Sequence, residues 1–185
     1  ISAGPYPDNF VLPSTARTFP YAVYYCSHAF VNAFCSRSDN GGQTFENSFP
    51  IFPAQGLCSN HGHVKVGADG TVYVPMNRSC LGAEGVTFSV DGGINWNYVP
   101  VPNTANGRWD SSIAIARDGK TIYYAYAEKG NDVPMVIKGT LLKVPVPTIQ
   151  WDETSAANVG IPAGLKNIAC STVVAGDADR AAVIF

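Results

Sequence analysis

The sequence predicts an all-β fold assembled from a repeated antiparallel unit, and three observations predict it. Short runs alternate apolar and polar residues with period two, the signature of half-buried strands. Those runs recur at nearly constant spacing along the chain, the mark of a repeat architecture. Charged residues are 14% of the 185, against ~25% in an average soluble domain, while there are 18 Gly and 13 Pro. Such a chain is rich in turns and poor in the charged helical faces that a coiled coil or a helical bundle requires.

Three stretches carry the first repeat: HVKVGADGTVYVP (63 to 75), SIAIARDGKTIYYAY (112 to 126) and STVVAGDADRAAVIF (171 to 185). Each has an alternating run, an Asp-containing turn and a second alternating run, so each reads as a β-hairpin. Asp69-Gly70 and Asp118-Gly119 supply the positive-φ chemistry that tight hairpins favour. The turn aspartates Asp69, Asp118 and Asp177 are 49 and 59 residues apart.

A second motif keeps step with the first. SDNGGQTF starts at Ser38 and SVDGGINW at Ser89, 51 residues later, and both fit Ser-x-Asp-x-Gly-x-Thr-aromatic. Asn40 takes the Asp place in the first copy and Asn95 the Thr place in the second. Short polar side chains there bond neighbouring amides, glycine takes the left-handed conformation, and the aromatic covers the strand pair. A period near 50 made of four short strands is the length of one propeller blade, and rings close with four to eight blades. The expected blades are 1–50, 58–100 and 108–155, with another starting at 165–185, in a single partial domain 1–185. Three and a half blades leave sheet edges that proteins normally protect. The chain also begins at Ile1 without Met and ends inside the apolar run Ala181 to Phe185. A longer parent with a ring of six to eight blades is therefore expected, or a protein partner at the open edges.

The Ser38 and Ser89 motifs resemble the Asp-box, or BNR repeat, of the sialidase-like β-propellers. SNHGHVKVGADGTVYVP and VVAGDADRAAVIF are similar to segments of secreted bacterial or archaeal members of that family. The resemblance implies that Ser38, Asn40, Gly42, Thr44, Phe45, Ser89, Asp91, Gly93 and Trp96 are structural, on a rim away from the binding face. It implies a secreted protein that binds or hydrolyses glycans as an exo-sialidase-like glycoside hydrolase. The alternative is a non-catalytic structural or adhesive module of a cell-surface or secreted assembly, because fold does not fix function. A sialidase needs an arginine cluster for the sialic acid carboxylate, a Tyr activated by a Glu, and an Asp as general acid/base. Family enzymes carry one such Arg in a Phe/Tyr-Arg-Ile-Pro motif before the first box. Nothing up to Arg37 matches it, and Arg17 in TARTFPYAV stands in a different context.

Charge narrows the partners. With 12 Lys+Arg against 14 Asp+Glu the formal net charge is -2, which lacks the footprint of a nucleic-acid binder. The apolar runs fall short of the ~20 residues of a membrane-spanning helix. Five cysteines without CxxC or Cys/His zinc spacing read as disulfide partners, hence a secreted or cell-surface location. Cys26 and Cys35 flank a short turn and Cys58 and Cys80 a hairpin, so these pairs are expected, with Cys170 left over. Other pairings stay open, as do five reduced thiols in a cytosolic protein.

The hairpin repeat locates the site. Eight residues before each turn aspartate stand His61, Asp110 and Ala169. The innermost strand of a blade starts at the channel mouth, so His61, His63, Arg108 and Asp110 are expected to converge on a ligand-binding funnel. His61 and Asp110 are the catalytic candidates by proton transfer, and Arg108 suits an anionic sugar. The competing reading has both histidines bonding backbone groups in a turn and Asp110 capping a strand. Tyr24, Tyr25, Tyr123, Tyr124 and Tyr126 suit stacking on sugar rings but read mostly as core, and Glu84 with Arg78 reads as a surface pair, or else as a contribution to the funnel. Asn77-Arg78-Ser79 is a glycosylation sequon. No cofactor or metal is called for: Asp/Asn turns suit Ca²⁺ but lack EF-hand spacing.

Overall fold

The computed structural model describes residues 1–8, 10–12, 14, 18–29, 31–52, 60–77, 82–107, 109–130, 132–152 and 169–185, with the backbone alone at Ala157–Asn158. These residues form three four-stranded antiparallel sheets in up-and-down order and a two-stranded fourth. The first sheet holds β1 (Ser2–Pro5), β2 (Tyr21–His28), β3 (Ala33–Ser38) and β4 (Phe49–Pro50). The second holds β5 (Lys65–Val66), β6 (Val72–Met76), β7 (Gly85–Ser89) and β8 (Asn97–Pro100). The third holds β9 (Ser112–Ile115), β10 (Thr121–Ala127), β11 (Pro134–Leu142) and β12 (Thr148–Trp151), and β13 (Ala157–Asn158) adds to β11. The fourth is β14 (Thr172–Ala175) with β15 (Ala181–Ile184). No α-helix occurs among the described residues, and none of them forms a helix able to cross a membrane.

The sheets stack face to face, and the sequence explains how. Every residue of β6 and β10 is buried, as expected of strands covered on both faces. Alternation then sorts side chains between two interfaces. Val72 and Val74 pack with Tyr24 of the first sheet and with Ile51 just past its last strand, while Tyr73 between them packs with Ile113 and Tyr124 of the third. In the same way Ile122 and Tyr124 face the second sheet, and Tyr123 and Ala125 face Val173 of the fourth. Each such side chain contributes about 1.5–3 kcal/mol by leaving water. Four of the five tyrosines singled out from sequence are core, and Tyr25 is half exposed.

First strands stand beside first strands, β1 against β5 and β9 against β14, while β8 meets β12 at the outer edge. Each sheet therefore has an inner first strand and an outer fourth strand, and all first strands run the same way. One end of the stack carries the starts of β5, β9 and β14 with the β2–β3, β6–β7 and β10–β11 connections. The other end carries the hairpin turns and the β3–β4 and β7–β8 turns. Cys26 and Cys35 are directly paired across β2 and β3 and form a disulfide. The expected Cys58–Cys80 bridge lies outside the described residues, and Cys170 is free and exposed.

Candidate functional site

The inner strands begin in equivalent positions, which the pairing register makes explicit. The last pairs before the turns are Val66 with Val72, Ile115 with Ile122 and Ala175 with Ala181. Five residues upstream stand His61, Asp110 and Cys170. Counting from the turn aspartates had given Ala169 in the fourth repeat. The difference arises because Asp177 immediately follows its turn-opening Gly176, whereas Asp69 and Asp118 come two residues after Gly67 and Ala116. The same step of three successive strands therefore presents an imidazole, a carboxylate and a thiol.

The next residue in each of these segments, still ahead of the strand, is Gly62, Ser111 or Ser171. Gly62 donates to Pro75 O at 2.9 Å, and a Cβ on it would lie 1.9 Å from the Ser111 carbonyl oxygen. Adjacent strand starts thus touch backbone to backbone, and only glycine fits. That contact brings His61 next to the Asp110 segment.

His61 Nδ1 lies 2.7 Å from Gly62 O. A carbonyl only accepts, so Nδ1 carries the proton and Nε2 is the basic nitrogen. The His28 ring packs edge-on against the His61 ring, with centroids 5.9 Å apart. Burial first, and the His28 charge next, lower the His61 pKa, while the Gly62 and Ser27 backbone and the Asp110 carboxylate work in the opposite direction. His61 is therefore neutral at neutral pH. His63 and Asp110 are exposed. Arg108 lies outside the described residues, but its neighbours are fixed by Asn77, whose O accepts from Gly107 N at 2.8 Å and whose Nδ2 donates to Trp109 O at 2.9 Å. The sequence named Asn77 only as part of a sequon and Cys170 only as the left-over cysteine, and His28 not at all; none was assigned to the site. The register of β2 against β3, and of β14 against β15, is the signal that finds His28 and Cys170.

Glu84 was expected in a surface pair and is instead fully buried, with Tyr124 Oη 2.5 Å from its Oε2. Arg78 lies outside the described residues. Burial raises the Glu84 pKa to about 8, outweighing hydrogen bonds from Tyr124, Gly107 and Ser111. The pair has the residue types of a sialidase nucleophile and its activator, but Tyr124 has no exposed surface for a substrate to reach.

At the opposite end, the Ser38 and Ser89 turns share one network. Ser38 Oγ accepts from Gly42 N at 2.9 Å and Ser89 Oγ from Gly93 N at 2.8 Å. Asn40 Oδ1 accepts from Thr44 N, and Asp91 Oδ1 from Asn95 N, each at 2.9 Å. Gly42 and Gly93 have φ of 88° and 87°, the left-handed region that a side chain would strain. Burial acts to raise the Asp91 pKa, and bonds from Asn95, Ser89 and Ile94 outweigh it and hold it low. Trp96 Nε1 donates to Gly93 O at 3.1 Å, and Phe45 packs edge-on against Tyr25. Among the described residues no cluster of three His, Cys, Asp or Glu side chains is placed to hold a metal.

Four-stranded antiparallel sheets stacked with their first strands side by side define the blade architecture of a β-propeller. Solved structures similar to this chain include sialidases. The intramolecular trans-sialidase from Ruminococcus gnavus, in complex with oseltamivir carboxylate, superposes with a TM-score of 0.60 at 17% identity over 83% of this chain and 33% of its own. The NanB sialidase from Streptococcus pneumoniae gives 0.63 at 16% identity, over 82% of this chain and 23% of its own. The leech intramolecular trans-sialidase, complexed with 2,7-anhydro-Neu5Ac, gives 0.56 at 15% identity, over 83% and 24%. The chain thus spans a quarter to a third of the length of these enzymes, and the likeness is one of fold. No family model and no curated protein sequence matches the chain.

Proposed function

We propose that this chain supplies three blades and the opening hairpin of a fourth to a secreted or cell-surface sialidase-like β-propeller of six to eight blades. In this reading it binds glycans at the end where the inner strands begin, and the Ser38 and Ser89 turns are Asp-boxes that staple the opposite rim. The observation that carries the reading is the shared register of His61, Asp110 and Cys170. Three reactive side chains at one step of three successive inner strands are what a funnel needs in order to surround a ligand. Neutral His61 accepts a proton through Nε2, Asp110 supplies a carboxylate, His63 offers a further contact and Arg108 holds an anionic sugar. The Cys26–Cys35 disulfide supports an oxidising compartment.

Binding is the core of the reading, and exo-sialidase-like hydrolysis is its stronger form. A second reading, a non-catalytic adhesive or structural module, is favoured by the burial of the Tyr124–Glu84 pair. The test is sialoside binding and turnover of a fluorogenic sialoside by the protein and by His61→Ala and Asp110→Ala. Loss of binding in both variants is expected. Unchanged binding in both would remove the funnel assignment, and binding without turnover in the unsubstituted protein would select the second reading.

A further inference from the structure

A cleft of about 260 Å³ opens between the first and second sheets, far from the starts of the inner strands. Tyr24, Arg37, Glu46, Asn47 and Phe49 line one side, and Gly92, Gly93, Ile94 and Trp96 the other. Its volume sits just below the ~300–1,000 Å³ of ordinary ligand pockets, so it suits one ring rather than a chain.

The chemistry of the walls narrows the occupant. Arg37 looks like an anion receptor and is not one. Its Nε and Nη2 donate to Asp39 at 2.9 and 3.3 Å, Nη2 also to Glu46 at 3.2 Å, and Nη1 to Gly92 O at 2.7 Å. Two carboxylates on one guanidinium leave the cleft with a negative balance, which disfavours an anion such as a sialic acid carboxylate. Phe49 is exposed, and Trp96, its N–H already bonded to Gly93 O, presents only apolar surface. Opposite Trp96 stand groups able to bond hydroxyls: the exposed side chains of Asn47 and of Glu46, whose Oε1 also accepts from Arg37. Tyr24 is 1% exposed, and its hydroxyl has no hydrogen-bond partner among the described residues. A buried hydroxyl left without a partner is costly, and a ligand that bonds it recovers that cost.

We propose that this cleft binds a single neutral pyranose ring, its C–H face on Trp96 and its hydroxyls on Tyr24, Glu46 and Asn47 of the opposite wall. An indole on one wall facing hydrogen-bonding groups on the other matches a ring with one apolar face and a hydroxylated rim. The ligand class follows from the glycan-binding reading, but the site is separate from the funnel, so the two fail independently.

The test is an NMR titration of the protein with methyl β-galactoside and with N-acetylglucosamine, following the Trp96 indole N–H, assigned by its absence from Trp96→Phe. A saturable shift with at least one sugar is expected. Tyr24→Phe removes only the unpartnered hydroxyl, so it should leave stability unchanged or raised while weakening the sugar about tenfold. Glu46→Gln, on an exposed side chain, should also weaken it, and His61→Ala should not. No saturable shift with either sugar overturns the proposal, as does undiminished affinity in both Tyr24→Phe and Glu46→Gln. Saturation by choline but by neither sugar overturns the ligand class.

Discussion

Tyr124 Oη lies 2.5 Å from Glu84 Oε2 and 3.2 Å from Met76 O, deep between the second and third sheets. Its one proton cannot serve both acceptors. A protonated Glu84 resolves the conflict by donating to Tyr124, which then donates to Met76 O, and burial favours that neutral form.

The sign of the pH effect follows. The folded-state pKa of Glu84 is about 8 against 4.5 for the ordinary carboxyl, so the folded state holds the extra proton between these values. Its stabilising effect is complete below 4.5, falls as pH rises through the window and is gone above about 8. Urea unfolding at pH 5 and pH 8 should show a decline of about 3 kcal/mol that Glu84→Gln flattens, because the amide N–H donates to Tyr124 as the protonated carboxyl does and carries no charge at either pH. A slope unchanged by the substitution would mean that another group titrates.

His61 moves the other way. Its pKa is lowered by burial and by His28, and Asp110 partly restores it. The stability it confers is complete above the ordinary 6.5 and is lost as pH falls through its folded pKa. An NMR titration should find its midpoint below 6.5, and Asp110→Asn should move it lower still. A midpoint indifferent to that substitution would separate the two residues and weaken the funnel assignment.

The fold was legible because it is periodic: Val72, Tyr73 and Val74 alternate between two interfaces, and alternation is written in the sequence. The Cys26–Cys35 pair was legible for the same reason, since a short connection between two strands places its flanks opposite each other. What escaped was long-range. Nothing near Glu84 announces that Tyr124, 40 residues on, will cover it. The Ala169 alignment is off by one residue because Asp177 stands one place earlier in its turn than Asp69 does in a turn of the same length, and only hydrogen-bond register resolves that. His28 reaches His61 through sheet stacking, which no local pattern encodes.

The two serine turns predict a matched pair of losses. Ser89 is fully buried and accepts from Gly93 N, so Ser89→Ala leaves a buried amide without its acceptor and should cost about 1–3 kcal/mol. Ser38→Ala should cost a similar amount through Gly42 N. Denaturant midpoints would measure both. Sialoside binding should survive each change under conditions where the variants stay folded, because the turns lie at the end of the sheets opposite His61. Loss of binding in folded Ser89→Ala would couple the two ends.

Gly62 offers the sharpest test of how the inner strands meet. A methyl there would sit 1.9 Å from the Ser111 carbonyl oxygen, a backbone atom that no side-chain rotation can remove. Gly62→Ala must therefore push the start of β9 away from that of β5, at about 1–3 kcal/mol. The same displacement carries Asp110 away from His61 and weakens the charge that holds the imidazole pKa up. Two readings should change together: the denaturant midpoint falls, and the His61 NMR titration midpoint moves down, as in Asp110→Asn. A stability loss with an unmoved His61 midpoint would show that the strand starts relax independently, and that their contact does not set the geometry of the funnel.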